Sequence, residues 1–129
     1  MKKLSCEILP VGHYSSGIVS GSRVYVSGQT SVDPATGKPA QGGMKNEVLM
    51  ALCRMETILR AAGCSRKDVV ICRVYITSMQ LWTDVNEAFA QFFGEHRPAR
   101  IVLPVGDLGG GCHVEIEAEA ELPCENAGS

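Results

Sequence analysis

The chain has 129 residues, of which 45% are hydrophobic and 20% charged, with a formal net charge of −2. Those values fit one ordinary globular domain spanning 1–129, and they supply no basic field that would gather phosphate backbones, so nucleic acid is not an expected partner. Glu7 and Pro10 interrupt what would have to be the apolar core of a signal peptide. No stretch approaches the ~20 apolar residues needed to cross a bilayer, so a soluble, cytoplasmic protein with no membrane partner is expected.

Six cysteines stand at positions 6, 53, 64, 72, 112 and 124. No pair has CxxC spacing, which excludes a zinc ribbon or a thioredoxin-like motif. Cys53 and Cys72 lie inside apolar stretches and read as buried thiols. The pattern suits a reducing compartment better than a disulfide framework.

In chain order the pattern reads three strands, helix, strand, helix, two strands. Lys2 and Lys3 read as a solvated end. Residues 16–20 and 23–27 flank Gly21-Ser22, and glycine at the first central position suits a two-residue type II′ hairpin. In the second of these strands Val24 and Val26 share one face, and Arg23, Tyr25 and Ser27 the other. Asp33-Pro34-Ala35-Thr36-Gly37 carries turn chemistry. Val48, Leu52, Met55, Leu59 and Ala62 then form an apolar stripe at helical spacing, with Gly63 as the C-terminal cap. The start of this helix near Gly42-Gly43 is poorly marked.

Residues 69–77 are β-branched and nearly continuous in apolarity, as in a central strand covered on both faces. A second helix opens near Trp82 with Thr83 or Asp84 as cap. Its inner face is Val85, Phe89, Phe92 and Phe93, and Gly94 ends it. Trp82 and the phenylalanines read as core. Residues 99–103 form a short strand, a Gly109-Gly110-Gly111 loop follows, and a last strand runs from about 112 to 122. Strand, helix, strand implies a parallel pair with a right-handed crossover. Both helices then lie on one sheet face, and the other face calls for a cover, which points to self-association.

The last strand places His113, Glu115, Glu117, Glu119 and Glu121 on one face, with Val114, Ile116, Ala118, Ala120 and Leu122 on the other. Residues two apart lie about 6.6–6.8 Å from each other, so the carboxylates repel unless water or cations separate them. Either this is a solvated face or one end of the row lines a polar cleft. The candidate to lie opposite is Arg100, in Arg97-Pro98-Ala99-Arg100-Ile101-Val102. It shares a strand face with Val102, while Ile101 and Leu103 point the other way. A guanidinium on a short apolar strand is costly unless paired, and its fork matches a carboxylate bidentately. A structural Arg–Glu pair and a substrate-gripping arginine both fit.

Six segments, in this order and spacing, carry a resemblance: Val11-Gly12-His13-Tyr14, Val26-Ser27-Gly28-Gln29, Asp33 to Gly37, Val85-Asn86-Glu87-Ala88-Phe89-Ala90-Gln91-Phe92-Phe93, Pro98-Ala99-Arg100 and Val114-Glu115-Ile116-Glu117-Ala118. Over about residues 6 to 122 the chain resembles the Rid/YjgF family of reactive intermediate deaminases. The resemblance implies an α+β fold like bacterial chorismate mutase, a mixed sheet with two helices on one face and the last strand inserted between earlier strands. It also implies a homotrimer with three inter-subunit clefts.

The implied activity is hydrolysis of enamine and imine acids of the 2-aminoacrylate/2-iminopropionate type to 2-keto acids and ammonia, with an imino or keto acid as the small-molecule partner. By the same resemblance Arg100 holds the substrate carboxylate and Glu115 orients water, while Tyr14, Ser27, Gly28, Asn86 and Val102 shape the pocket. No cofactor is implied, because an imine is already activated. Val102 stands where many deaminating members have cysteine, and His13 where many have proline. Three other readings stay open: a keto-acid- or amino-acid-binding trimer without turnover, a deaminase for another enamine, and a ribonuclease, which the net charge disfavours. His13, His96 and His113 with Cys112 match no metal signature, so no metal is expected. Cys112 beside His113 is not a nucleophile pair, since neighbours on a strand face opposite sides.

Overall fold

The computed structural model describes residues 1–124. A six-stranded mixed sheet runs in the order β1-β2-β3-β8-β6-β7, where β1 is Lys2–Lys3, β2 Gly17–Ser20, β3 Arg23–Thr30, β6 Val69–Ile76, β7 Ala99–Pro104 and β8 Val114–Glu121. A separate two-stranded hairpin joins β4 (Val32–Asp33) to β5 (Lys38–Pro39). Its turn is the Asp33–Gly37 segment, in which the Asp33 carboxylate accepts from the Ala35 N–H at 2.9 Å. The β2–β3 turn places Gly21 at φ 61°, a conformation open to glycine at little cost.

Helix α1 (Met44–Ala61) and helix α2 (Trp82–Phe93) both pack on one sheet face. α1 starts without a side-chain cap, as its weak sequence signal suggests. It ends in a Schellman arrangement: the Cys64 N–H donates to Leu59 O at 3.0 Å and the Gly63 N–H to Arg60 O at 3.0 Å. α2 begins before the expected caps Thr83 and Asp84. A 3₁₀ turn at Met79–Leu81 feeds directly into it, and the capping hydroxyl is that of Ser78, which accepts from the Gln80 N–H. Leu52, Met55, Ile58 and Leu59 of α1 are fully buried against Val24, Val74 and Ile116 of the sheet. Each such side chain contributes about 1.5–3 kcal/mol relative to exposure.

β6 and β7 form the parallel pair around α2, with Cys72 opposite Arg100 and Val74 opposite Val102. The last strand does not form a hairpin with β7. It inserts between β3 and β6, antiparallel to both. Local patterning alone would pair consecutive strands, and the family resemblance supplied the correct order.

Several expectations need correction. β8 starts at Val114, not 112, and Cys112 is buried beside the glycine turn. His113 does not join the row of glutamates, because its ring turns to Glu47 on α1. Lys2 and Lys3 are exposed but pair with Val19 and Ile18 as an edge strand. Cys53 is exposed rather than buried, whereas Cys72 is buried as expected. Trp82 is 40% exposed and is not core.

β6 reads as a strand covered on both sides, yet one chain covers only one. Cys72, Val74 and Ile76 are buried under the helices, while Ile71, Arg73 and Tyr75 on the far face are half-buried. Tyr25, Ile101 and Leu103 share that open face at 44, 46 and 42% exposure.

Candidate active site

Register divides the polar residues between the two faces. Glu115, Glu117 and Glu119 lie opposite Tyr75, Arg73 and Ile71 on the open face. Two arginines enter their row. Arg73 Nη2 donates to Glu119 Oε2 at 2.7 Å and Arg23 Nη2 to Glu119 Oε1 at 3.2 Å. These hydrogen bonds, that of Arg73 foremost, hold the Glu119 carboxyl below its ordinary range. Tyr75 donates to Glu117, which raises the phenol's pKa. Glu121 lies 3.9 Å from Arg23.

Glu115, at the end of the row, makes no side-chain hydrogen bond or ion pair among the described residues. Its carboxylate borders an open cavity of about 350 Å³ lined also by Tyr14, Gly28, Thr30, Arg54 and Gly110. A β-bulge between Val26 and Gln29 shapes this end of β3. Glycine at 28 leaves room for the Glu115 carboxylate, which a Cβ there would push aside. The Tyr14 hydroxyl accepts a long bond from the Val11 N–H at 3.4 Å. Ser27 adjoins the cavity without lining it, its hydroxyl donating to Ser15 O at 2.6 Å.

Arg100 lies on the helix face of the edge strand β7. It borders a second cavity of about 550 Å³, together with Asn86, Phe89, Phe93, His96 and Arg97. Its Nη2 donates to Asn86 Oδ1 at 3.3 Å. Its guanidinium carbon stands 4.9 Å from the Phe89 ring centroid and 5.6 Å from that of Trp82, within cation–π range. Among the described residues it has no carboxylate partner, so no structural Arg–Glu pair forms there. Val102 packs against the core two residues on. The Cys72 thiol opposite Arg100 is pushed up to about 12, by burial first, with the guanidinium pulling the other way. It stays a neutral thiol and no nucleophile.

One chain therefore brings Tyr14, Gly28 and Glu115 to one cavity and Asn86 and Arg100 to another, with the sheet between the two groups. Residues outside the sequence expectation complete each half. Trp82 stands one helical turn before Asn86, a spacing that could have linked it to the Arg100 side. Arg54 carried no signal beyond its place on the flank of α1. Among the described residues no cluster of His, Cys, Asp or Glu could hold a metal.

This fold belongs to a known family. Residues 5–122 match the family described as "Endoribonuclease L-PSP", and the chain is a member of this Rid/YjgF family. A RutC family protein of Pyrococcus horikoshii is 38% identical over 111 residues, covering 86% of this chain and 88% of that protein. The human 2-iminobutanoate/2-iminopropanoate deaminase is 37% identical over 110 residues, covering 85% and 80%. The crystal structure of E. coli TdcF with bound serine superposes with a TM-score of 0.86 at 32% identity, covering 94% of this chain and 98% of that one.

Proposed function

We propose that the protein is an imine deaminase that hydrolyses 2-imino acids, the tautomers of 2-aminoacrylate-type enamines, to 2-keto acids and ammonia. The carrying observation is that Glu115, alone of the four glutamates on β8, has a carboxylate with no hydrogen-bond or ion-pair partner among the described residues, beside a cavity. The name of the human relative and the serine held by TdcF support an amino-acid-like ligand.

The reaction needs a grip on the substrate carboxylate, and Arg100 offers a fork that no acid among the described residues takes. It also needs a water aimed at the C=N carbon. Glu115 can accept a proton from that water as it attacks. Glu115 returns that proton to the nitrogen, the adduct's hydroxyl proton follows it, and the C–N bond breaks to release ammonia while the water oxygen becomes the keto oxygen. Tyr14 and Gly28 bound the space in which this happens, and exclusion of bulk water strengthens each polar contact. No step calls for a metal or cofactor.

The site works as a pair of halves from different chains. The Arg100 edge of one copy meets the Glu115 cavity of its neighbour, and closure of that heterologous contact gives a ring, for which we take the trimer. The half-covered open face, with Tyr25, Ile101 and Leu103, supplies apolar surface for the assembly. RNA is not the substrate in this account, since the net charge of −2 and the glutamate row do not attract phosphates.

The test is steady-state deamination of enzymatically generated 2-aminoacrylate. Arg100→Ala lowers kcat/KM at least about 10- to 150-fold, the value of one charge-assisted hydrogen bond, with the oligomer intact by light scattering. Full activity in that variant removes Arg100 from the mechanism. The serine-bound relative favours one rival, binding without turnover, and an absence of ammonia release over the spontaneous rate would select it.

A further inference from the structure

We propose that Arg54 reads the substrate's side chain and favours 2-imino acids that carry a second carboxylate. This rests on the imine-hydrolysis reading above and names its substrate class.

Arg54 lies on the flank of α1 that also carries Glu47. The two are treated differently. Glu47 is fully engaged by Ser31 and His113. Arg54 has five donor hydrogens, and its one hydrogen bond within the described protein is a long one, Nη1 to Val32 O at 3.4 Å. Its Nε is buried with no partner. Arg23, Arg66 and Arg73 each hold a carboxylate, and Arg54 holds none among the described residues. A buried donor left unmatched costs about 1–3 kcal/mol, so such a group asks for a ligand.

The position of Arg54 supplies one. It borders the same cavity as Tyr14 and Glu115. That cavity, at about 350 Å³, is of the size that encloses small ligands. Its one lining carboxylate, Glu115, forms no ion pair with Arg54. The cavity thus holds an anion and a cation kept apart, one suited to water and the other to an acid. The carboxylate next to the reacting carbon is assigned to Arg100 of the neighbouring copy. What remains for Arg54 is the far end of the substrate, and a bidentate match there is a second carboxylate. The chemistry at C=N is unchanged: water adds, ammonia leaves, and a 2-keto diacid is released.

Imino acids generated in situ by amino-acid oxidases from glutamate, aspartate, leucine and alanine give the comparison. The wild-type protein uses the two diacids at least about tenfold better in kcat/KM than the neutral pair. Arg54→Gln erases most of that ratio, and Arg54→Lys, which keeps the charge but not the fork, keeps part of it. Thermal unfolding of each variant checks the fold. Equal use of acidic and neutral substrates by the wild type, or a uniform loss in Arg54→Gln, overturns the assignment. Titration calorimetry with 2-oxoglutarate and 2-oxobutanoate reads the same contact without turnover. If no imine is hydrolysed, the deaminase reading fails, while tighter 2-oxoglutarate binding that Arg54→Gln abolishes still upholds Arg54; equal binding of the two keto acids overturns it.

Discussion

Glu56 and Glu115 carry the same side chain and end in opposite circumstances. Glu56, on α1, accepts from Arg66 Nη2 at 2.6 Å, from Arg66 Nε at 2.9 Å and from the Arg66 N–H at 3.0 Å. The same guanidinium donates to Phe92 O at 2.8 Å and stacks 3.8 Å from the Phe92 ring. That cluster ties α1 to α2 and spends every polar group in doing so. Glu115 is held by geometry alone, with Gly28 leaving room for its carboxylate. A charge that is fully matched within the chain builds the scaffold. A charge that is positioned but unmatched is available for chemistry.

The contrast predicts effects that separate cleanly between activity and stability. Glu115→Gln keeps shape and removes the proposed base, so kcat is expected to fall by about 10²–10⁴ while the urea midpoint stays at the wild-type value. An equal fall in stability would return Glu115 to the scaffold. Gly28→Ala comes next. Its methyl would stand 2.1 Å from Glu115 Oε2, and the carboxylate, at the end of a flexible chain, swings away. Activity drops about tenfold or more, on the scale of one misplaced catalytic contact, with a small stability change.

Glu56→Ala reverses the pattern. It removes the partner of Arg66, whose side chain is partly exposed and can turn to water, and costs about 1–2 kcal/mol in urea unfolding, while kcat per folded protein is kept. The smallest effect is in pH. Hydrogen bonds from Arg66 hold the Glu56 carboxyl below its ordinary range. For Glu47, burial pushes upward, but the Ser31 hydroxyl and the backbone and ring of His113 outweigh it and leave the carboxyl lowered. Both stabilising contributions are complete above the unfolded carboxyl pKa of about 4.3 and are lost as pH falls through the lower folded values. Urea midpoints followed from pH 7 to 3 decline in acid, and Glu47→Gln makes that decline shallower. A Glu47→Gln profile that matches the wild type would detach Glu47 from the acid limb.

Local chemistry made much of this visible beforehand. The alternation of β8, the stripe of α1 and the turn at Asp33–Gly37 all follow from period and turn propensity. The place of β8 between β3 and β6 is a long-range choice that periodicity does not encode. The candidate site was proposed from its residue types, through Arg100 beside Val102 and Glu115 within its row. What the pattern left open was pairing. Arg23 and Arg73 reach into the glutamate row from other strands, and only register decides that Glu115 escapes them. Trp82, Cys53 and His113 were misplaced for a related reason, since each sits where an element begins or on its rim and its exposure depends on neighbours remote in sequence.

The central claim, a site divided between chains, is tested most directly by mixing two dead variants. Arg100→Ala and Glu115→Gln are unfolded together, refolded at equal ratio and assayed against each variant refolded alone. If clefts form between copies, about a quarter of them regain both groups under random mixing in a cyclic assembly, and activity returns. If both groups act within one chain, the mixture stays as inactive as its parents.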